Sequence, residues 1–98
     1  MKFSLENKSN QNVSLLLRRA GYRYQKLKGR ELIFFRPLSQ EYYPHFHLYL
    51  IEEEDKLFFS LHLDQKRPSY KGSSAHSGEY GGELVEKEAQ RIKDLFND

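Results

Sequence analysis

Three of the chain's four histidines, His45, His47 and His62, occupy alternate positions in two strand-like runs, and Asp64 follows two residues after the last of them. Imidazoles and carboxylates are the ligands left for a zinc-like divalent ion when thiolates are missing, and this chain has no cysteine. An open site of that type takes three nitrogen or oxygen ligands and a water, which the ion acidifies for attack on an ester or phosphoester. The candidate metal ligands are therefore His45, His47, His62 and Asp64. The candidate catalytic groups are His62, His76 and Glu79, with His76 and Glu79 supplying a further ligand or a base. No HExxH or comparable fixed-spacing motif is present, so strand pairing must decide which of these residues meet. A metal-free alternative uses His62 or His76 as general base, with Lys66, Arg67 or Lys71 holding a phosphate, in the manner of small ribonucleases. The bland alternative is that each histidine only hydrogen-bonds a neighbouring carbonyl or faces water.

The element that must position the histidines is a β-hairpin over residues 44–64. Phe46, Leu48 and Leu50 alternate with His45, His47 and Tyr49, and Leu57, Phe59, Leu61 and Leu63 alternate with Phe58, Ser60, His62 and Asp64. Period-two alternation places each set on its own face. The two apolar sets share the buried face only if an even position opposes an odd one, which fixes the parity of the register. A turn at Glu53-Glu54, or over Glu52 to Asp55, sets Leu50 against Leu57 and His45 against His62. A slip of two residues sets His47 against His62 instead. Opposed side chains stand about 5 Å apart at Cβ, so either pairing gathers three imidazoles on one face.

Upstream, Val13, Leu16, Leu17 and Ala20 recur at helical spacing behind Asn12 as N-cap, and Gly21 stands where a C′ glycine belongs. Residues 22–27 and 31–36 read as a second hairpin, with Lys28-Gly29-Arg30 as its turn and Pro37 as its end. A two-residue turn at Gly29-Arg30 sets Tyr24 against Phe35, Gln25 against Phe34, Lys26 against Ile33 and Leu27 against Leu32. Phe3 and Leu5 alternate well enough for a short edge strand, which the periodicity leaves open. Residues 37–44 form a loop bounded by two prolines whose Tyr42 and Tyr43 either wall a pocket or cover the sheet edge. Residues 65–82 form a long loop rich in Gly, Ser and Lys, beyond the length expected of an idle connection. A last helix runs from about Gly82 to Phe96 with Val85, Ala89, Ile92 and Phe96 as its apolar stripe, and Glu88 reads as a solvated or packing residue.

The net charge of +2 hides an uneven distribution: seven Lys and Arg face only Glu31 within residues 15–37. Basic side chains interleaved with Tyr22, Tyr24, Phe34 and Phe35 supply the alternative function, a nucleic-acid-binding module in which Arg23, Lys26, Lys28 and Arg30, with Lys66 and Arg67, neutralise phosphates while rings stack on bases. The segment LHLDQKRPSYKGSSAHSGEYGGE, residues 61–83, resembles part of small bacterial proteins of unknown function, a likeness that implies no activity. The element order also loosely resembles the double-stranded-RNA-binding-like fold of small toxins of the HicA type. Arg30-Glu31 follow Gly29, however, where those toxins carry Gly-Ser-His, and their activity is not carried over.

Ninety-eight residues, 14% of them aromatic, give one core and a single domain over residues 1–98. No apolar run approaches the ~20 residues that span a bilayer, and the N-terminus lacks the apolar stretch of a signal peptide, so the expected location is cytoplasmic with no membrane partner. The expected fold is α+β, a four-stranded antiparallel sheet of two hairpins flanked by an N-terminal and a C-terminal helix in the order α-β-β-β-β-α, with a long loop before the last helix. The expected function is binding of a divalent metal or small ligand on the polar sheet face, with metal-dependent phosphoester hydrolysis as the reaction and RNA or DNA as the alternative partner.

Overall fold

A computed structural model describes residues 1–7, 11–65, 78–79 and 82–97. The elements are β1 (Lys2–Glu6), α1 (Val13–Arg19), β2 (Arg23–Lys28), β3 (Glu31–Pro37), β4 (His45–Glu53), β5 (Lys56–Asp64), β6 (Gly78–Glu79) and α2 (Glu83–Leu95). The α+β class and both hairpins are as expected, but the sheet has a fifth strand, in the order β1-β5-β4-β3-β2, with neighbours antiparallel. The two-residue β6 pairs with β5 at Leu63 and Asp64, on the edge where β1 holds residues 56–60. The strand count expected from the sequence is corrected by β1. Phe3 and Leu5, opposite Phe59 and Leu57, are half-buried while Lys2, Ser4 and Glu6 are exposed. Two apolar residues are too few to fix a period, and the strand is held by its partner: Phe3 stacks on Phe59 at 5.1 Å and the Met1 amino group donates to the Leu61 carbonyl at 2.8 Å.

The β4–β5 register is the slipped one of the two that parity allows. Glu53 pairs with Lys56 around a Glu54-Asp55 turn, His47 faces His62, and His45 faces Asp64. Phe46, Leu48 and Leu50 of β4 and Leu57, Phe59, Leu61 and Leu63 of β5 therefore point to one side, where they form the core with Phe34 of β3, Val13 and Leu17 of α1, and Val85, Ala89 and Ile92 of α2. Burying each of the larger of these side chains contributes about 1.5–3 kcal/mol. Both helices are committed to that side. The reverse face carries the histidines.

The first helix is capped as its sequence implies: Asn12 Oδ1 accepts from the Leu15 amide at 3.1 Å, and the Gly21 and Tyr22 amides donate to the Arg18 and Leu17 carbonyls at 3.0 and 2.9 Å. This paired closure needs a left-handed residue, and Gly21 has φ 102°. A Cβ there would also stand 3.2 Å from Arg36 Nε.

That arginine belongs to a buried network in which Glu88 is the packing residue of the two alternatives, not the solvated one. The Glu88 side chain is 5% exposed, inside the helix–sheet interface. Tyr22 Oη donates to its Oε2 at 2.6 Å, Arg91 donates through Nε to Oε1 at 2.9 Å and through Nη2 to Oε2 at 3.0 Å, and Arg36 Nη1 donates to Oε1 at 3.3 Å. Arg91 Nη2 also caps the Ala20 carbonyl at 2.8 Å. Burial, followed by the Glu88 charge, pushes the Tyr22 phenol far above its ordinary range.

The β2–β3 hairpin departs from the simple register. Lys28, Lys26 and Leu27 oppose Glu31, Ile33 and Leu32 as expected, but a β-bulge at Gln25 shifts the remainder, so that Tyr24 meets Phe34 and Arg23 meets Phe35. The expected pairs Tyr24–Phe35 and Gln25–Phe34 do not form. One extra residue in a strand reverses the faces beyond it. Tyr24 turns to the core side, edge-on to Phe34 at 5.8 Å, and Arg23 turns to the histidine side.

Candidate metal centre

Strand pairing brings His45, His47 and Asp64 together on the face away from the helices. His45 and His47 are two apart on β4, and Asp64 at the end of β5 opposes His45. His47 Nδ1 lies 2.8 Å from Asp64 Oδ2 and His45 Nε2 lies 3.1 Å from the same oxygen, while His62 Nε2 lies 3.3 Å from Asp64 Oδ1. One carboxylate thus sits among three imidazoles. One ligand atom each from His45, His47 and Asp64 falls within 4.8 Å of the others, a group able to hold a metal ion. Ligands at 2.0–2.1 Å from a tetrahedral zinc-like ion stand roughly 3.3 Å apart, so the observed spacings suit such an ion with small outward movements.

The proton positions are constrained by what each nitrogen faces. His45 Nδ1 lies 2.8 Å from the Tyr42 carbonyl, which can only accept, so Nδ1 bears the hydrogen and a neutral ring presents a lone pair at Nε2. That Nε2 is buried and has no hydrogen-bond partner among the described residues, because Asp64 Oδ2 is close but not placed for a hydrogen bond. A lone pair facing a carboxylate oxygen is repulsive, and an unsatisfied buried nitrogen costs about 1–3 kcal/mol. A cation between them removes both penalties. The backbone carbonyl behind Nδ1 is also the outer-shell partner that metal-binding imidazoles generally have.

His47 differs in that both of its ring nitrogens have hydrogen-bond partners. Its Nε2 lies 3.2 Å from Gln25 Oε1, the side chain at the β2 bulge. Its Nδ1 donates to Asp64 Oδ2 at 2.8 Å, and a shift of the hydrogen to Nε2, facing Gln25 Oε1, frees the Nδ1 lone pair for an ion. Burial lowers the His47 pKa, with the Asp64 carboxylate opposing the shift, and burial likewise lowers that of His62. Both rings are neutral near pH 7, the form that binds metal.

Aromatic rings enclose the buried end of the group. Tyr42 and Tyr43 lie 4.3 and 4.9 Å from the His45 ring, and Phe35 lies 6.1 Å away. Leu38 N donates to the Pro44 carbonyl at 3.1 Å, closing the loop that carries the two tyrosines. Those tyrosines cover His45 as well as the sheet end. His45 is fully buried, whereas the side chains of His47 and Asp64 are 14% and 22% exposed, so the group opens toward solvent on their side.

Of the other candidates, His62 stands beside Asp64 but outside the three-residue group. Glu79 pairs through its backbone with Leu63, next to the Asp64–Gly78 pair. His76, Lys66, Arg67 and Lys71 lie outside the described residues. Arg23, Lys26 and Lys28 are exposed on the edge strand β2, and Arg30 is paired with Glu53 at 2.7 Å in an exposed ion pair. Sequence reasoning missed Gln25 and the Tyr42 carbonyl. The bulge has no local signature, and only the two prolines around residues 38–43 hinted at a loop turned back on the strand. Among the described residues no helix is long and apolar enough to cross a membrane. Comparison with protein-family models, curated proteins and solved structures returned no match.

Proposed function

We propose that this protein binds a divalent, zinc-like ion through His45 Nε2, His47 Nδ1 and Asp64 Oδ2, and uses it to hydrolyse phosphoesters. The observation that carries the reading is the buried, unpartnered His45 Nε2, aimed toward a carboxylate while its Nδ1 is committed to the Tyr42 carbonyl. Two neutral imidazoles and one carboxylate leave a divalent ion with net positive charge and an open position toward solvent, the condition for acidifying a bound water. His62, neutral and 3.3 Å from Asp64 Oδ1, is placed beside that open side to accept a proton from the water. The polar-face site expected from the sequence thus keeps His45, His47 and Asp64 as ligands and gives His62 the role of base.

The test is the metal content of untagged protein and its titration with zinc. The expected result is one ion per chain, lost in His45→Ala and Asp64→Ala, together with cleavage of bis(p-nitrophenyl) phosphate that a chelator abolishes. In His62→Gln the metal content stays while kcat falls by about 10²–10⁴, the usual contribution of a general base. Wild-type protein that takes up no zinc, manganese or cobalt at neutral pH overturns the metal centre. Metal-loaded protein without hydrolysis of any phosphoester overturns the reaction alone.

A further inference from the structure

The bulged strand β2 places a row of unpaired basic side chains beside the metal centre. Lys26 and Lys28 oppose Ile33 and Glu31, which lie on the histidine face of the sheet, and the bulge brings Arg23, opposite Phe35, to that face as well. Without the bulge Arg23 would point to the helix side. All three are exposed, and none has an ion-pair partner among the described residues. Gln25, the bulge residue, reaches His47 Nε2 at 3.2 Å, so the same irregularity links the basic strand to a metal ligand. Bulges concentrate next to active sites because they re-aim side chains in this manner.

Two grooves lie on either side of the bulge. One, of about 280 Å³, is lined by Lys26, Lys28, His47 and Tyr49. The other, of about 510 Å³, is lined by Arg23, Phe35 and Tyr42 beside the rings that cover His45. Glu31 lies at the turn end of the first groove and Glu41 at the loop end of the second, so the acids mark the limits of the positive row. From Arg23 to Lys28 the strand rises roughly 16 Å, more than one phosphate occupies. The Tyr42 side of the second groove offers an exposed ring to a base, and the Tyr49 ring borders the first.

We infer that the Arg23–Lys26–Lys28 row, shaped by the Gln25 bulge, binds the phosphodiester backbone of a single-stranded nucleic acid and lays it across the metal centre. Each cation neutralises a backbone phosphate while the flanking rings stack on unpaired bases, the combination by which single strands are held without sequence readout. Only the hydrolysis of the strand rests on the metal-centre reading; binding requires the basic row alone.

The experiment is fluorescence anisotropy with a labelled twelve-nucleotide RNA, the DNA of the same sequence and a duplex, across a salt series, on wild-type protein and Lys26→Gln/Lys28→Gln. Zinc content is measured on the same samples. Both substitutions are at exposed positions, and Lys87→Gln on α2 serves as a charge control. The expected result is single-strand binding weakened at least tenfold in the double variant, a log–log salt slope smaller by about 1.4 (about 0.7 for each lost phosphate contact), and unchanged zinc content. Binding through Lys26 and Lys28 by protein without zinc supports the row while removing the metal centre. No binding by wild-type protein, tighter binding of the duplex, equal affinity in the double variant, or capture of inorganic phosphate but not of the oligonucleotides overturns the inference.

Discussion

The sheet separates two buried polar clusters that treat their carboxylates in opposite ways. On the helix side, Glu88 receives hydrogen bonds from Tyr22, Arg36 and Arg91, and both of its oxygens are committed. On the open side, Asp64 stands among three imidazoles, two of them held neutral by burial, while the buried Nε2 of His45 has no hydrogen-bond partner among the described residues. A satisfied buried network pins one arrangement of the elements that supply it, here α1's end, β3 and α2. A cluster in which a buried nitrogen is aimed toward a carboxylate without a hydrogen bond is one that could hold a cation. Glu88 is the more buried carboxylate, 5% exposed against 22% for Asp64, and the state of the hydrogen-bond partners separates the two clusters further.

The largest expected effect that tests this contrast is Glu88→Ala. It leaves Tyr22 and two guanidinium groups without their acceptor, and urea unfolding should show a loss of about 3 kcal/mol, the lower end for breaking a buried ion pair. Asp64→Ala in metal-free protein should lose less, about 1 kcal/mol, because Asp64 is more exposed and relief of the repulsion at His45 Nε2 offsets part of the hydrogen bond lost from His47. Equal losses in the two variants would erase the distinction.

Zinc should act on one cluster only. At a free concentration one hundred times its Kd, a single site that binds the folded chain alone adds about 2.7 kcal/mol to stability. That gain should appear in wild-type protein and in Tyr22→Phe, and vanish in Asp64→Ala. Thermal melts with and without chelator measure it.

A smaller effect separates the clusters by pH. Tyr22 has its folded pKa raised, so its contribution is complete below its unfolded pKa of about 10 and is lost as pH rises above it, by at most about 1.4 kcal/mol per pH unit. His47 and His62 have their folded pKa values lowered, so their contribution is complete above the unfolded value of about 6.5 and is lost as pH falls below it. Tyr22→Phe should flatten only the alkaline side of the stability profile, and His47→Gln/His62→Gln only the acid side. An alkaline limb that survives in Tyr22→Phe would show that the phenol is not its source.

Much of this arrangement is legible from alternation and spacing. The strand runs around Leu48 and Leu61, the helical stripe Val85–Ala89–Ile92, the Asn12 cap and the Gly21 closure follow from local rules, and local rules act on residues close in the chain. The parity argument placed His45, His47 and His62 on one face for the same reason, since a side chain's face follows from its position along its own strand. The register within that parity was open, and so were β1, the bulge at Gln25 and the burial of Glu88. These depend on partners far along the chain, β1 on β5 and Glu88 on Tyr22 and Arg36. Composition and period set which residues face the same way, while long-range packing alone decided that Asp64 would stand among the histidines and that Gln25 would reach His47, because those distances are fixed by how separate strands slide and kink against one another.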